Sequence, residues 1–254
     1  MDKRLIKHNF SRNAGVYDDY AAVQRKCAQQ LIELLEGDSF SNILEIGCGT
    51  GFYTRALRGT NKEAQIDAVD ISEEMIKVAH RKGKDSTTQF MVFDGEEISR
   101  EKKFDLITSN ATFQWFEDLD RSLAGLKEAI TDEGSLCFSM YGPETFNELG
   151  EVLSDHFGRY LPLTSKSFLA FETVKKIVKR HFSKVKIEEK HFTADFISLL
   201  DFLRDIKHSG TRGEGLARDI FLGQYAIKEI EKAYIEKFKG IRATHHIYFC
   251  RAEK

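Results

Sequence analysis

The chain has 254 residues, 41% of them apolar and 31% charged, with a net charge of −2. This composition and length fit one large soluble domain and exclude the global basic excess of a nucleic-acid binder. No segment approaches the ~18 consecutive apolar residues that a membrane-spanning helix needs, so no membrane partner is expected.

The N-terminal MDKRLIKHNF carries no apolar run of signal-peptide length. The four cysteines, Cys27, Cys48, Cys137 and Cys250, are far apart and form no CxxC pair. That spacing suits neither a zinc site nor a disulfide framework, so no metal is expected and the thiols read as reduced, in a cytoplasmic protein.

In chain order, FSRNAGVYDDYAAVQ (10–24) comes first, with a helix expected from about Tyr20. From Ser41 to Tyr141, short apolar runs alternate with helical periods. NILEIG (42–47), QIDAVD (65–70), TTQFMVFD (87–94), KFDLITSN (103–110) and GSLCFSMY (134–141) read as strands. Between them, FYTRALR (52–58), SEEMIKVAHRK (72–82) and DLDRSLAGLKEAI (118–130) read as helices. Ser72 is placed to cap its helix, with Glu73 and Glu74 in the first turn. Beyond Tyr141, helices are expected at 143–157 and 172–182 and a strand at 184–192. Helices at about 194–208 and 217–238 and a closing strand at 241–252 follow. SGTRGEG (209–215) reads as a loop between the last two helices.

Strands alternating with helices imply an α/β fold: a Rossmann-like, mostly parallel seven-stranded sheet with helices on both faces. The chain then reads as a single domain. Residues 1–40 form an N-terminal helical lid, 41–141 a ligand-binding core, and 194–240 a helical cap inserted between the last two strands. Ligands of such sheets bind beyond the carboxyl ends of the strands.

The string ILEIGCGTG (43–51) runs from a strand through Gly47, Cys48, Gly49 and Gly51 into a helix. Glycines there permit tight turning and close approach to a ligand. A dinucleotide loop is GxGxxG aimed at a pyrophosphate; this one is GxGxG, with Glu45 two residues before it. An acid disfavours a phosphate and favours a cation, so the ligand expected is a positively charged adenosine compound. Asp70, at the end of the second strand, is placed to accept hydrogen bonds from ribose hydroxyls, and Asp94-Gly95 ends the third strand where an adenine amino group can be met. SNATFQWF (109–116) ends the fourth strand, nearest the reactive end of such a ligand.

The ordered set ILEIGCGTG, AVDIS, FDGEEI and FDLITSNATFQWF resembles the class I S-adenosylmethionine-dependent methyltransferases. That resemblance implies S-adenosylmethionine as cofactor and S-adenosylhomocysteine as product. It adds Ile71, Met75, Asn110 and Ala111 to the cofactor contacts. The run FSRNAGVYDDYAAVQRKCAQQL, through Phe10, Ser11, Ala14, Tyr17, Asp18, Ala21, Val23 and Gln24, resembles the malonyl-acyl-carrier-protein O-methyltransferases of biotin synthesis. SNATFQWFEDL and SMYGPETFNEL are similar to the same family. The implied reaction methyl-esterifies the free carboxylate of a malonyl thioester, on acyl-carrier protein or coenzyme A. A carboxylate is ionised at neutral pH and needs no general base.

Within that reading, Tyr17, Gln114 and Trp115 are the candidate active-site residues, and Tyr17 and Arg12 also candidate cofactor contacts. Arg12 meets either a cofactor or a substrate carboxylate. His245 and His246 alternate across the last strand and read as structural. The basic helix face with Lys175, Lys176, Lys179 and Arg180 is a candidate docking patch for an acidic carrier protein, the alternative being a solvated face. Two other readings stay open: a methyltransferase for another small carboxylic acid, and a nicotinamide-dependent oxidoreductase.

Overall fold

The computed structural model describes residues 2–83, 85–98, 101–210 and 223–254. Seven strands form one sheet: β1 (Asn42–Ile46), β2 (Gln65–Asp70), β3 (Thr88–Val92), β4 (Phe104–Asn110), β5 (Ile130–Tyr141), β6 (Lys184–Phe196) and β7 (Ile241–Glu253). Their order is β3-β2-β1-β4-β5-β7-β6, and β7 alone runs against the rest. The order reverses between β1 and β4, the crevice where open α/β sheets bind ligands.

The helices are α1 (Lys3–Asn13), α2 (Tyr17–Tyr20), α3 (Ala22–Leu34), α4 (Phe52–Thr60), α5 (Glu73–Lys82) and α6 (Leu119–Ala129). They continue with α7 (Asn147–Phe157), α8 (Phe171–His181), α9 (Leu199–His208) and α10 (Gln224–Phe238). Each core-facing helix buries a stripe at i, i+4 spacing, such as Cys27 and Leu31 on α3, Leu119 and Leu123 on α6, and Val174 and Val178 on α8. Caps follow the local sequence. Ser72 accepts from the Met75 N–H to start α5, and Asp118 accepts from the Arg121 N–H to start α6.

Three expectations need correction. The helix expected from Pro143 begins only at Asn147, because the preceding segment goes on bonding to β7: Gly142 N–H donates to His246 O at 2.8 Å, and Phe146 N–H to Thr244 O at 2.7 Å. The strand expected to stop at 192 runs to Phe196, paired with Ile241. The helical insertion therefore starts at Leu199, where Ser198 caps α9. The single N-terminal helix expected is three, since α1 precedes Tyr17 and Ala21 leaves helical geometry between α2 and α3. In the SGTRGEG loop, all but Ser209 and Gly210 lie outside the described residues.

The N-terminal helices are tied down at several points. Ser11 Oγ lies 2.8 Å from Ser72 Oγ at the start of α5. Asn13 bonds α9 twice, donating to Lys207 O at 3.0 Å and meeting His208 Nδ1 at 3.0 Å. Asn110 at the end of β4 donates to Gln24 O at 3.0 Å.

Candidate functional site

Two adjoining cavities open beyond the carboxyl ends of β1, β2 and β4. The larger, about 730 Å³ with its mouth, is lined by the glycine loop, the ends of β2, β3 and β4, and the N-terminal residues Lys3, Ile6, Phe10 and Tyr17. The smaller, about 400 Å³, lies between the glycine loop, Glu45 and the α2–α3 region. Tyr17, Gly47, Gly49 and Asn110 line both.

The loop's glycines are a geometric demand. Gly47 has φ +74°, and a Cβ there would lie 2.0 Å from Thr112 Oγ1. That close approach lets the β1 and β4 loops share one floor. Gly95 packs just as tightly, its place for a Cβ only 2.3 Å from Ile46 Cγ2. Gly51 has φ +75° and N-caps α4, but lines neither cavity.

Glu45 is 1% exposed, and among the described residues neither carboxylate oxygen has a hydrogen-bond partner of normal geometry. Burial pushes its carboxyl up to about 8, with nearby Thr54 and Arg55 offsetting this only in part. Asp70 accepts Gly49 N–H at 2.9 Å on one oxygen and Ser72 N–H at 2.8 Å on the other. Burial raises it to about 6 against those two donors. Each oxygen keeps a further lone pair for a ligand hydroxyl.

The N-terminal helices bring their own charges. Lys3 Nζ lies 2.7 Å from Asp94 and 2.5 Å from Glu96. Asp18 accepts from the Thr50 hydroxyl and from Lys82, each at 2.5 Å. Burial raises the Asp18 carboxyl, but these two bonds outweigh it and hold the group below its ordinary range. Burial, then the fields of Asp70 and Asp18, push the Tyr17 phenol up, so it stays protonated as a donor.

Most of the residues expected at the site gather here: Tyr17, Glu45, Gly47, Cys48, Gly49, Asp70, Ile71, Met75, Asp94, Gly95, Asn110, Ala111 and Trp115. Two do not. Arg12 is exposed on α1 and lines neither cavity. Gln114 is buried and turned inward, donating to Ala111 O at 2.7 Å and accepting from Tyr141 N–H at 3.2 Å. It braces the β4–β5 loops and is not exposed to a ligand. Asn110, although it lines the cavities, has its side chain engaged by Gln24 O and by the Ser139 hydroxyl. Cys48 is buried and its thiol is pushed well up, so it stays protonated.

Trp115 is 7% exposed, edge-on to Phe10 at 6.2 Å and to Phe168 at 5.3 Å between ring centres. Its indole N–H has no hydrogen-bond partner among the described residues. Lys3, Phe93, Glu96 and Thr112 line the site unanticipated. Only the docking of α1 reveals Lys3. Thr112 had a signal in the sequence, since a glycine at the end of β1 implies a close neighbour.

Away from the cavities, Glu144, His191 and His246 bring possible metal-ligand atoms within 4.8 Å of one another, which sequence spacing did not suggest. His191 bonds Glu144 and His246 bonds Glu189, each at 2.9 Å. On α8, Arg180 is paired with Asp120, and Lys175 with Glu172 at 3.3 Å; Lys176 and Lys179 are exposed.

A methyltransferase-domain family model matches residues 44–138. The malonyl-[acyl-carrier protein] O-methyltransferase of Acetivibrio thermocellus is 34% identical over 100% of this chain and 95% of its own length. That of Priestia megaterium is 37% identical over 97% of this chain and 96% of its own. The chain belongs to the malonyl-[acyl-carrier protein] O-methyltransferase family. As a family member it is an enzyme of the methyltransferase class, and its similarity to relatives extends over the full length of the chain.

Solved structures agree at the level of fold. YcgJ from Bacillus subtilis superposes with TM-score 0.63 at 13% identity, covering 91% of this chain and 99% of that one. The N-methyltransferase NodS from Bradyrhizobium japonicum, in complex with S-adenosylhomocysteine, gives TM-score 0.56 at 17% identity, covering 98% and 99%. The methyltransferase fold is therefore shared across very different sequences.

Proposed function

We propose that the chain transfers the methyl group of S-adenosylmethionine to the free carboxylate of a malonyl thioester on acyl-carrier protein, the step that starts pimeloyl and biotin synthesis. The observation that carries the cofactor reading is Glu45. A buried carboxyl without a partner, beside a glycine loop, suits a cation and opposes a pyrophosphate, which weighs against a nicotinamide dinucleotide. Full-length similarity to malonyl-[acyl-carrier protein] O-methyltransferases supports the substrate reading.

The residues present fit such a cofactor. Glu45 ionises to offer negative charge when a cation binds beside it, Asp70 has free lone pairs for ribose hydroxyls, and Ile71, Met75 and Phe93 supply apolar walls. When bound, S-adenosylmethionine supplies a methyl group on a sulfonium leaving group. The chain's own contribution is alignment and exclusion of water. The acceptor carboxylate is already ionised, so no side chain has to remove a proton. Positioning of this kind contributes up to about 7–11 kcal/mol in ideal cases. Tyr17, Phe10 and Trp115 form an aromatic wall over the cavity, and α1 and α2 act as a lid held by Lys3 and Asp18.

The partner is an acyl-carrier protein, docked at the exposed lysines of α8, and the setting is the cytoplasm. Among the described residues no helix is long and apolar enough to cross a membrane. The test is to mix the protein with S-adenosylmethionine and malonyl-acyl-carrier protein and weigh the carrier. A gain of one methyl group supports the reading; methylation of a free diacid alone overturns it.

A further inference from the structure

Three buried polar side chains have no hydrogen-bond partner among the described residues: the Trp115 indole N–H, on the wall of the larger cavity, and behind it the Tyr141 hydroxyl and both ring nitrogens of His245, which line neither cavity. Their residues are 7%, 2% and 3% exposed. Buried polar atoms are nearly always hydrogen-bonded, so several orphans in one neighbourhood require an explanation. Elsewhere among the described residues the orphans are Thr54 Oγ1, Arg58 Nε and both oxygens of Glu45, the last in the cavity assigned to the cofactor.

The three come from different elements that the sheet brings together. Trp115 follows β4 and lines the larger cavity. Tyr141 is the last residue of β5. Gln114, next to Trp115 in the chain, accepts the Tyr141 backbone N–H at 3.2 Å, which locks the two loops in register. Tyr141 pairs with Ile247 across β5 and β7, so His245, two residues earlier on β7, lies on the same face just beyond the end of β5. The Tyr141 and His245 rings are 6.1 Å apart, and Phe146 closes over the imidazole at 5.0 Å.

Their protonation suits donation. Burial, followed by the fields of Cys27, Tyr17 and Asp205, holds the Tyr141 proton on. Burial, then Lys26, pushes His245 down to about 4, so the ring is neutral and offers one N–H. Three neutral donors, walled by aromatic rings, suit a desolvated carboxylate: they can hold it by hydrogen bonds without neutralising it as a paired cation would.

Resting on the function proposed above, we infer that Trp115, Tyr141 and His245 form the acceptor subsite, receiving the carboxylate that is to be methylated. The arrangement separates two roles. Glu45 and Asp70 hold the cofactor at β1 and β2, and the orphaned donors hold the acceptor at β4, β5 and β7. It also gives specificity, since a neutral methyl ester in place of the carboxylate is a weaker acceptor for all three donors.

The test uses the full chain with Tyr141→Phe and His245→Phe, each of which removes the donor. Wild type and variants are compared by KM for malonyl-acyl-carrier protein, by S-adenosylhomocysteine affinity in calorimetry, and by melting temperature. The subsite requires KM to rise at least about tenfold, the loss of ~1.4 kcal/mol of binding, with the calorimetric affinity unchanged. Removing an orphaned donor also leaves the melting temperature of the free protein equal to or above that of wild type, which loss of a structural hydrogen bond does not. Trp115 is the only tryptophan, so its emission reports directly. In protein loaded with S-adenosylhomocysteine, malonyl-pantetheine should change it saturably, and the methyl ester should do so much more weakly. Unchanged KM in both variants overturns the inference, as does wild-type emission indifferent to malonyl-pantetheine. Wild type unable to methylate malonyl-acyl-carrier protein overturns the function itself, a separate result.

Discussion

Lys3 on the first helix pairs with Asp94 at the end of β3, 2.7 Å away, and the same ammonium reaches Glu96 at 2.5 Å. Burial works to lower the lysine's pKa, but the hydrogen bonds to both acids outweigh it and hold the ammonium above its ordinary range. One side chain thus fastens α1 to the cavity rim. Glu96 in turn accepts from the Glu117 and Asp118 N–H groups, so the clasp extends to the start of α6.

Replacing Lys3 by Met leaves two acids side by side without their cation. Stability should fall by about 1 kcal/mol, the upper range for a partly exposed pair. S-adenosylhomocysteine should dissociate several-fold faster, because the lid is less often closed. Thermal melts and stopped-flow release measure the two effects. High salt should mimic the substitution in wild type and do little to the variant; identical release rates dispose of the clasp.

Glu45 makes the free protein sensitive to pH. Its folded value of about 8 lies above its ordinary 4.5, so between those limits the folded state binds more protons than the unfolded state. Stability therefore falls as pH rises through that window, by at most about 1.4 kcal/mol per pH unit, and levels off above it. Glu45→Gln should flatten this slope and be more stable than wild type at pH 8. A cation bound beside Glu45 favours the ionised form, so S-adenosylmethionine binding near pH 7 should release a proton. Calorimetry in buffers of different ionisation enthalpy detects it. Equal proton release by wild type and Glu45→Gln removes Glu45 from that role.

Gly47→Ala combines two penalties, a side chain at φ +74° and a Cβ 2.0 Å from Thr112 Oγ1. Strain of this kind costs on the order of 1–3 kcal/mol, and the Thr112 loop must move to admit the methyl group. Cofactor affinity should fall together with melting temperature. Adding Thr112→Ala should recover part of the loss by relieving the contact, but not the part due to φ. A double variant no better than Gly47→Ala alone contradicts the steric account.

What the sequence made legible was local in the chain. Glu45, Gly47, Gly49, Asp70 and Asp94 stand at strand ends, and the strand pattern alone places strand ends at one edge. Lys3 and Asp18 were not legible as lid anchors, because their partners Glu96 and Lys82 come from elements far along the chain. Gln114 misled because a polar residue at a strand end can face the ligand or brace the loop, and only the positions of Ala111 O and Tyr141 N decide it. The start of α7 was missed for a related reason. Pro143 suits the first turn of a helix, but β7 offers the backbone of residues 142–146 a pairing partner.

The α8 patch yields a prediction about the carrier. Arg180 and Lys175 already have acidic partners on the protein, so their charge is largely spent. Lys176 and Lys179 are exposed and make no ion pair among the described residues, which leaves them to attract an acidic partner. Lys176→Glu with Lys179→Glu should raise KM for malonyl-acyl-carrier protein about tenfold at low ionic strength, as expected for a charge-steered encounter. The difference should shrink as salt shortens the screening length. Malonyl-pantetheine carries no protein, so its KM should stay at the wild-type value. A rise for both substrates would locate the effect in the catalytic site, and a rise for neither would leave the lysines as a solvated helix face.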